Sequence, residues 1–220
     1  MRRDKKRAMF IGHFAMGLAA SRVEKRLTLG TALLASQLPD AIWPYLLLTG
    51  AETVSIVVGD TAMTPLRFDS YPWSHSLLMV AVSGSILAFV YKVRGGATRA
   101  AFFCAGLAVS HWFLDFITHR PDMPALPWGH AKFGLGLWNS VPLTVTVESL
   151  MYLGAVAFYA HGRRMSRGFW ILVAVLGAMY VGNVVGPPPP GVTAIALSMI
   201  ILVPIVWWWG NRVGFREVKA

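Results

Sequence analysis

Arg99-Ala-Ala-Phe-Phe-Cys-Ala-Gly-Leu-Ala-Val-Ser110-His111-Trp112-Phe113-Leu114-Asp115-Phe116-Ile117-Thr118 is an apolar run long enough to span a bilayer, yet it carries a histidine and a carboxylate in its body. On a helix the four-residue spacing of His111 and Asp115 lays both side chains on one face, one turn apart. Hydrocarbon is a costly place for them: an ionised Asp at a helix centre costs roughly 2.5–3.5 kcal/mol on insertion scales. A common use of His with Asp at helical spacing is to hold a metal ion.

The chain around this run has the same character. Apolar residues make up 55% of it and charged residues only 14%. The mean hydropathy is +0.55, beyond the usual range of a soluble domain. Spans are expected at about 27–49, 74–93, 99–118, 141–160, 168–185 and 192–209. The fold class is therefore all-α: a polytopic transmembrane helical bundle with about six spanning helices plus a short N-terminal helix. With 220 residues, nearly everything goes into one integral membrane domain, 1–220.

Charge distribution orients the bundle. Of the 20 Lys and Arg, only Arg67, Arg120 and Lys132 fall in the two long loops, about 50–73 and 119–140. The others cluster at the opposite ends, which the positive-inside rule assigns to the cytoplasm with both termini. Because the net charge of +10 lies in short clusters between apolar runs, it reads as a topology signal and not as a nucleic-acid interface. Trp207-Trp208-Trp209 and Tyr71 with Trp73 suit interfacial anchors. Cys104 reads as a small buried hydrophobe.

Residues 8–21 resemble a signal peptide, but Arg22, Lys25 and Arg26 follow at once and disfavour translocation. A short helix that lies on the bundle, or dips partway into it from the cytoplasmic side, is expected. It carries His13, and Gly12, Ala15, Gly17, Ala19 and Ala20 permit close packing.

Four segments thus present ionisable groups to a bundle interior: His13; Asp40, in Leu38-Pro39-Asp40 where Pro39 and Pro44 break or kink the helix; His75; and His111 with Asp115. Imidazoles with one or two carboxylates suit Zn²⁺, or Mn²⁺ or Fe²⁺ with more oxygen ligands. Ligation by three or four such groups with one open position lowers the pKa of bound water towards about 7. Ser74 and Ser110, each just before a histidine, are candidate partners of the ligands. Duller readings exist for each residue: His13 as an interhelical contact, Asp40 as a helix cap, His75 as a solvated helix start, and His111 with Asp115 as a structural pair. His119 and Glu148 are equally explained by loop polarity and by a buried pairing. His130 and His161 read as ordinary loop and helix-end residues.

Gly12-His13, Leu38-Pro39-Asp40, Ser74-His75-Ser76-Leu77 and Ser110-His111-x-x-x-Asp115 follow one another in the order seen in bacterial inner-membrane proteins known as membrane-bound metal-dependent hydrolases. The chain resembles that family, a domain of unknown function with a distant kinship to zinc-dependent phospholipase C, over about residues 8–140. The resemblance implies a metal site at His13, Asp40, His75, His111 and Asp115, in the bacterial cytoplasmic membrane. Two departures bear on it. Ile42 and Trp43 stand where relatives often have an acid and a histidine, and Ser70-Tyr71-Pro72 stands where they often have His-Arg-Gly. One metal, in place of a two-metal site, is then expected, with Asp69 as a substitute group.

The expected function is a single-metal hydrolase, zinc first and manganese or iron next, acting on a lipid or lipid-linked phosphoester. Glu148, His119 or Asp69 would move protons, while Arg120 and Lys132 would hold a phosphate or carboxylate at the outward mouth. The alternative is a metal-ion or proton transporter using the same side chains as a relay. A scaffold whose polar groups merely join helices is the third reading.

Overall fold

A computed structural model describes residues 11–215 of the chain, and its helices follow the apolar runs with two interruptions. The first helix, α1, runs Ile11–Val23. The apolar run 27–49 then divides into α2, Leu29–Ser36, and α3, Leu38–Leu48. Gln37 ends the one and begins the other, because Pro39 in the first turn of α3 has no N–H to continue the ladder from α2. Asp40 lies in that first turn, and the N-cap position is Gln37, whose side chain makes no cap bond.

The second interruption falls at Ser76, whose extended backbone separates α4, Pro72–His75, from α5, Leu77–Val93. The Ser76 hydroxyl accepts from the Met79 amide and starts α5 afresh. There follow α6, Thr98–Thr118, α7, Val141–Ala160, α8, Arg167–Val185, and α9, Val192–Val213. Each long loop holds a small antiparallel hairpin: β1, Thr53–Ile56, with β2, Leu66–Ser70, and β3, Met123–Pro124, with β4, Lys132–Phe133.

Among the described residues, four helices, α6 to α9, are long and apolar enough to cross a membrane, and α5 is an apolar helix of 17 residues. This corrects the expected six spans. The run 27–49 is two short helices of 8 and 11 residues, each under half a bilayer's requirement by itself or little more. Large apolar side chains such as Phe89, Phe102 and Leu150 are exposed on the outside of the bundle, as hydrocarbon-facing surfaces require.

The placement of α1 also differs from expectation. It lies inside the bundle and not on it, with Ile11, Phe14 and Leu18 packed in one core with Tyr152, Val156, Leu172 and Leu176. Small residues make this possible: a Cβ on Gly17 would stand 3.0 Å from the Ala32 carbonyl oxygen. The C-terminal end of α1 is tied to the turn between α5 and α6, where the Tyr91 hydroxyl donates to the Arg26 carbonyl and Arg99 pairs with Glu24 at 3.1 Å. His13, ten residues back along α1, therefore lies about 15 Å from that basic end, well into the bundle. The expected cytoplasmic placement of the two termini concerns residues 1–10 and 216–220, which lie outside the described residues. Cys104 is fully buried in a core with Ala20, Ala32 and Leu107.

Candidate metal centre

The two helix breaks bring side chains to the C-terminal half of α6. From α6 itself come His111 and Asp115, with His111 Nε2 3.2 Å from Asp115 Oδ2. The His13 ring of α1 stacks on His111, centroids 3.8 Å apart and planes within 9°, and its Nε2 lies 3.1 Å from Asp115 Oδ1. From the other side, α3 brings Asp40 and α4 brings His75. His75 Nε2 is 3.5 Å from Asp40 Oδ1 and 3.9 Å from Asp115 Oδ2, while His111 Nε2 is 3.9 Å from Asp40 Oδ2. Two overlapping groups result, His13/His111/Asp115 and Asp40/His75/His111, and within each the ligand atoms all lie within 4.8 Å of one another. Ligands bound at about 2.0–2.2 Å around one ion stand roughly 3.0–3.5 Å apart, so these buried His and Asp groups are spaced to hold a metal ion.

Hydrogen bonding behind the ligands sets which nitrogens are bare. His111 Nδ1 is 2.9 Å from the Ser36 carbonyl oxygen, which only accepts, so Nδ1 carries a proton and, in the neutral ring, Nε2 presents a lone pair. Glu52 accepts from the Trp73 amide at 2.7 Å, the Ser74 amide at 2.8 Å and the Ser74 hydroxyl at 2.5 Å. With its hydrogen given to Glu52, Ser74 Oγ accepts from His75 Nδ1 at 2.7 Å, so His75 Nε2 is also bare. His111 Nε2 and His13 Nδ1 are buried without a hydrogen-bond partner. Lone pairs and carboxylate oxygens facing one another repel unless a cation or added protons stand between them.

Glu52 and Ser36 escaped the reading of the sequence. No spacing rule links Glu52 to His75, 23 positions on, and the bond exists because β1 and β2 fold the chain back. Ser74 is a partner of its neighbouring histidine as expected, whereas Ser110 donates to the Leu107 carbonyl of its own helix.

His119, the cap residue of α6, sits apart from the five ligands and in a network of its own. Its Nδ1 is 3.0 Å from Asp122 Oδ1, which also accepts from the Tyr71 hydroxyl at 2.7 Å, and its ring packs on Trp138 and Phe68. Burial would raise the Asp122 carboxyl, but hydrogen bonds from His119, Tyr71 and Arg120 outweigh it and hold the group below the ordinary carboxylate value. Burial, then the charge of Asp122, pushes the Tyr71 phenol well above its ordinary value. Tyr71 is thus an interior group, not the interfacial anchor expected; Trp73 beside it is exposed.

Other expected site residues lie elsewhere. Arg120 is held by Asp60 at 2.6 Å and Asp122 at 3.0 Å, so its charge is already matched and not offered to an anion. Lys132 is exposed on β4. Asp69, on β2, is hydrogen-bonded by Ser55 and by Arg67, away from the cluster. Glu148 is fully buried on α7, with the Tyr180 side chain and Asp115 acting on it, but it supplies no atom to either ligand group. His130 and His161 are exposed.

A cavity of about 650 Å³ adjoins the cluster. Asp40, His75, Asp115 and His119 are its ionisable lining groups, flanked by Trp43, Phe68 and Trp138, and residues of α8 and α9 line the rest. Fold and site together define a helical membrane-spanning protein with a buried His/Asp cluster able to hold a metal ion. Compared with known proteins, the chain matches no family model, no curated protein and no solved structure.

Proposed function

We propose that the protein is a membrane-embedded, single-metal hydrolase acting on a lipid or lipid-linked phosphoester. The observation that carries this reading is that five ligand-type side chains from four separate segments form two overlapping buried groups sharing His111, and that three of the five, Asp40, His75 and Asp115, line an adjoining cavity. Resemblance to the membrane-bound metal-dependent hydrolases points the same way, and with it a bacterial cytoplasmic membrane and cytoplasmic termini. Zinc is the metal favoured by a set of three imidazoles and two carboxylates. Bound there, it would supply Lewis acidity and a nucleophile from water at neutral pH.

The chain's own groups divide the remaining work. His13, Asp40, His75, His111 and Asp115 hold the ion; Ser36 and the Glu52–Ser74 pair fix the ring tautomers of His111 and His75. His119 is the proton carrier of choice, because it lines the cavity and Asp122 orients its ring. Glu148 and Asp69, the other expected carriers, do not line the cavity.

Elemental analysis of the detergent-purified full chain tests the reading. Stoichiometric metal is expected, lost in His111→Ala while helical content is retained. Protein that folds and carries no metal when supplied with zinc overturns it. Release of product from lipid vesicles, with no flux of zinc or protons across them, separates the hydrolase from a transporter.

A further inference from the structure

The last two helices contribute nothing to the His/Asp cluster, yet they form a wall of its cavity. Along α9 the wall is made by Ile195, Ser198, Met199, Ile201, Leu202 and Ile205. These positions recur every three or four residues and so share one stripe of the helix, which rises about 15 Å from Ile195 to Ile205. The stripe starts near the loop end of the bundle and descends into a helix long and apolar enough to cross a membrane.

The cavity is not closed along that stripe. Ile201 is 61% exposed and Ile205 46% exposed although both line it, so it opens sideways along a helix long and apolar enough to cross a membrane. Met179 and Asn183 of α8 bound it on another side. The ionisable lining groups are Asp40, His75, Asp115 and His119, in or beside the cluster, and the remaining polar lining is Thr64, Asn183 and Ser198. A passage for water or ions needs polar walls along its length, and this stripe offers a single hydroxyl, Ser198. What meets an apolar slot open to the bilayer core is an acyl chain.

We infer that this slot is a lipid-chain site: a bilayer phospholipid slides in sideways past Ile201 and Ile205, lays one acyl chain along α9, and brings its polar linkage to the His/Asp end. The placement of the linkage rests on the proposed hydrolase function; chain binding does not. Apolar contact along the stripe supplies the affinity and the polar end fixes the register.

The experiment uses the full chain in vesicles of phosphatidylethanolamine and phosphatidylglycerol containing a phospholipid with a photoreactive group near the end of one acyl chain. After irradiation, adducts are mapped by peptide mass spectrometry. Adducts concentrated at 195–205 and 179–183 are expected, reduced about tenfold or more when Ser198→Trp or Ile201→Trp fills the slot. Adducts spread evenly over the outer faces that carry Phe102 and Leu150, and unchanged in either variant, overturn the inference. So does exclusion of the probe from the slot in a protein that binds zinc and hydrolyses a water-soluble phosphoester, a result that spares the hydrolase. Slot adducts in a protein without bound metal overturn the hydrolase and leave the lipid-chain site standing.

Discussion

Glu52→Gln is an isosteric change at a buried side chain that touches no ligand atom, yet it should reverse the proton order at His75. In the native arrangement Glu52 Oε1 accepts the Trp73 and Ser74 amides, and Oε2 accepts the Ser74 hydroxyl at 2.5 Å. Gln can keep its carbonyl on the two amides, which places its NH₂ against Ser74 Oγ. That NH₂ donates, so the Ser74 hydrogen turns to His75 Nδ1, and the imidazole proton moves to Nε2, the atom that faces the cluster. A ring protonated at Nε2 has no lone pair to give. Loss of an outer partner of a metal-bound histidine typically lowers affinity 10–100-fold, or about 1.4–2.7 kcal/mol at the usual conversion. The assay is competition for zinc between the detergent-purified protein and a chromogenic chelator at neutral pH. Thermal unfolding of the metal-free protein is the control, and Glu52→Gln should leave it nearly unchanged. Glu52→Ala is the contrast: it strips two amides and a hydroxyl of their acceptor and should lower stability even without metal, by about 1–3 kcal/mol for each buried donor left unpaired. Wild-type zinc affinity in Glu52→Gln, with an unaltered melting curve, refutes the relay.

Two further predictions concern the fold. Asp122→Asn sets an NH₂ among the donors Tyr71, His119 and Arg120 and should cost about 1–3 kcal/mol at neutral pH. Because the native carboxyl is held below its ordinary value, its contribution is present above roughly pH 4 and disappears as pH falls through the depressed value. Melting temperatures of wild type and variant should therefore differ by a constant amount from pH 5 to 8 and converge below about pH 4; a gap that widens in acid contradicts the assignment. Gly30→Ala would put a Cβ 2.1 Å from the Trp207 carbonyl oxygen and 2.6 Å from the Asn211 side chain, forcing α2 and α9 apart. An overpacking loss of about 1–3 kcal/mol is expected in thermal unfolding, and a variant as stable as wild type would mean these helices pack less closely.

Apolar runs read along the chain were enough to place α6, α7, α8 and α9, because length and hydropathy are local properties and these helices have no internal break before their ends. Pro39 was visible as an interruption in the same way. Whether it would kink a span or divide it depended on what Gln37 and the start of α3 pack against, which no neighbouring residue encodes. The five ligand candidates were legible one at a time, since a buried His or Asp stands out in an apolar run. Their meeting was implied only by the order of motifs that resembles a known family; its geometry was not legible, because it depends on α1 lying inside the bundle, where Gly17 lets it close on Ala32. Arg120 shows the same division. Its charge is evident from its identity, but Asp60, sixty positions earlier, decides that the charge is already matched. Residue chemistry, the long apolar helices and the place of the Pro39 interruption follow from interactions within a turn or two of the chain and so belong to the sequence. Partnership across the bundle, including the Glu52 bond that bares one nitrogen of His75, depends on which distant segments the packed interior brings together, and only the tertiary structure decides it.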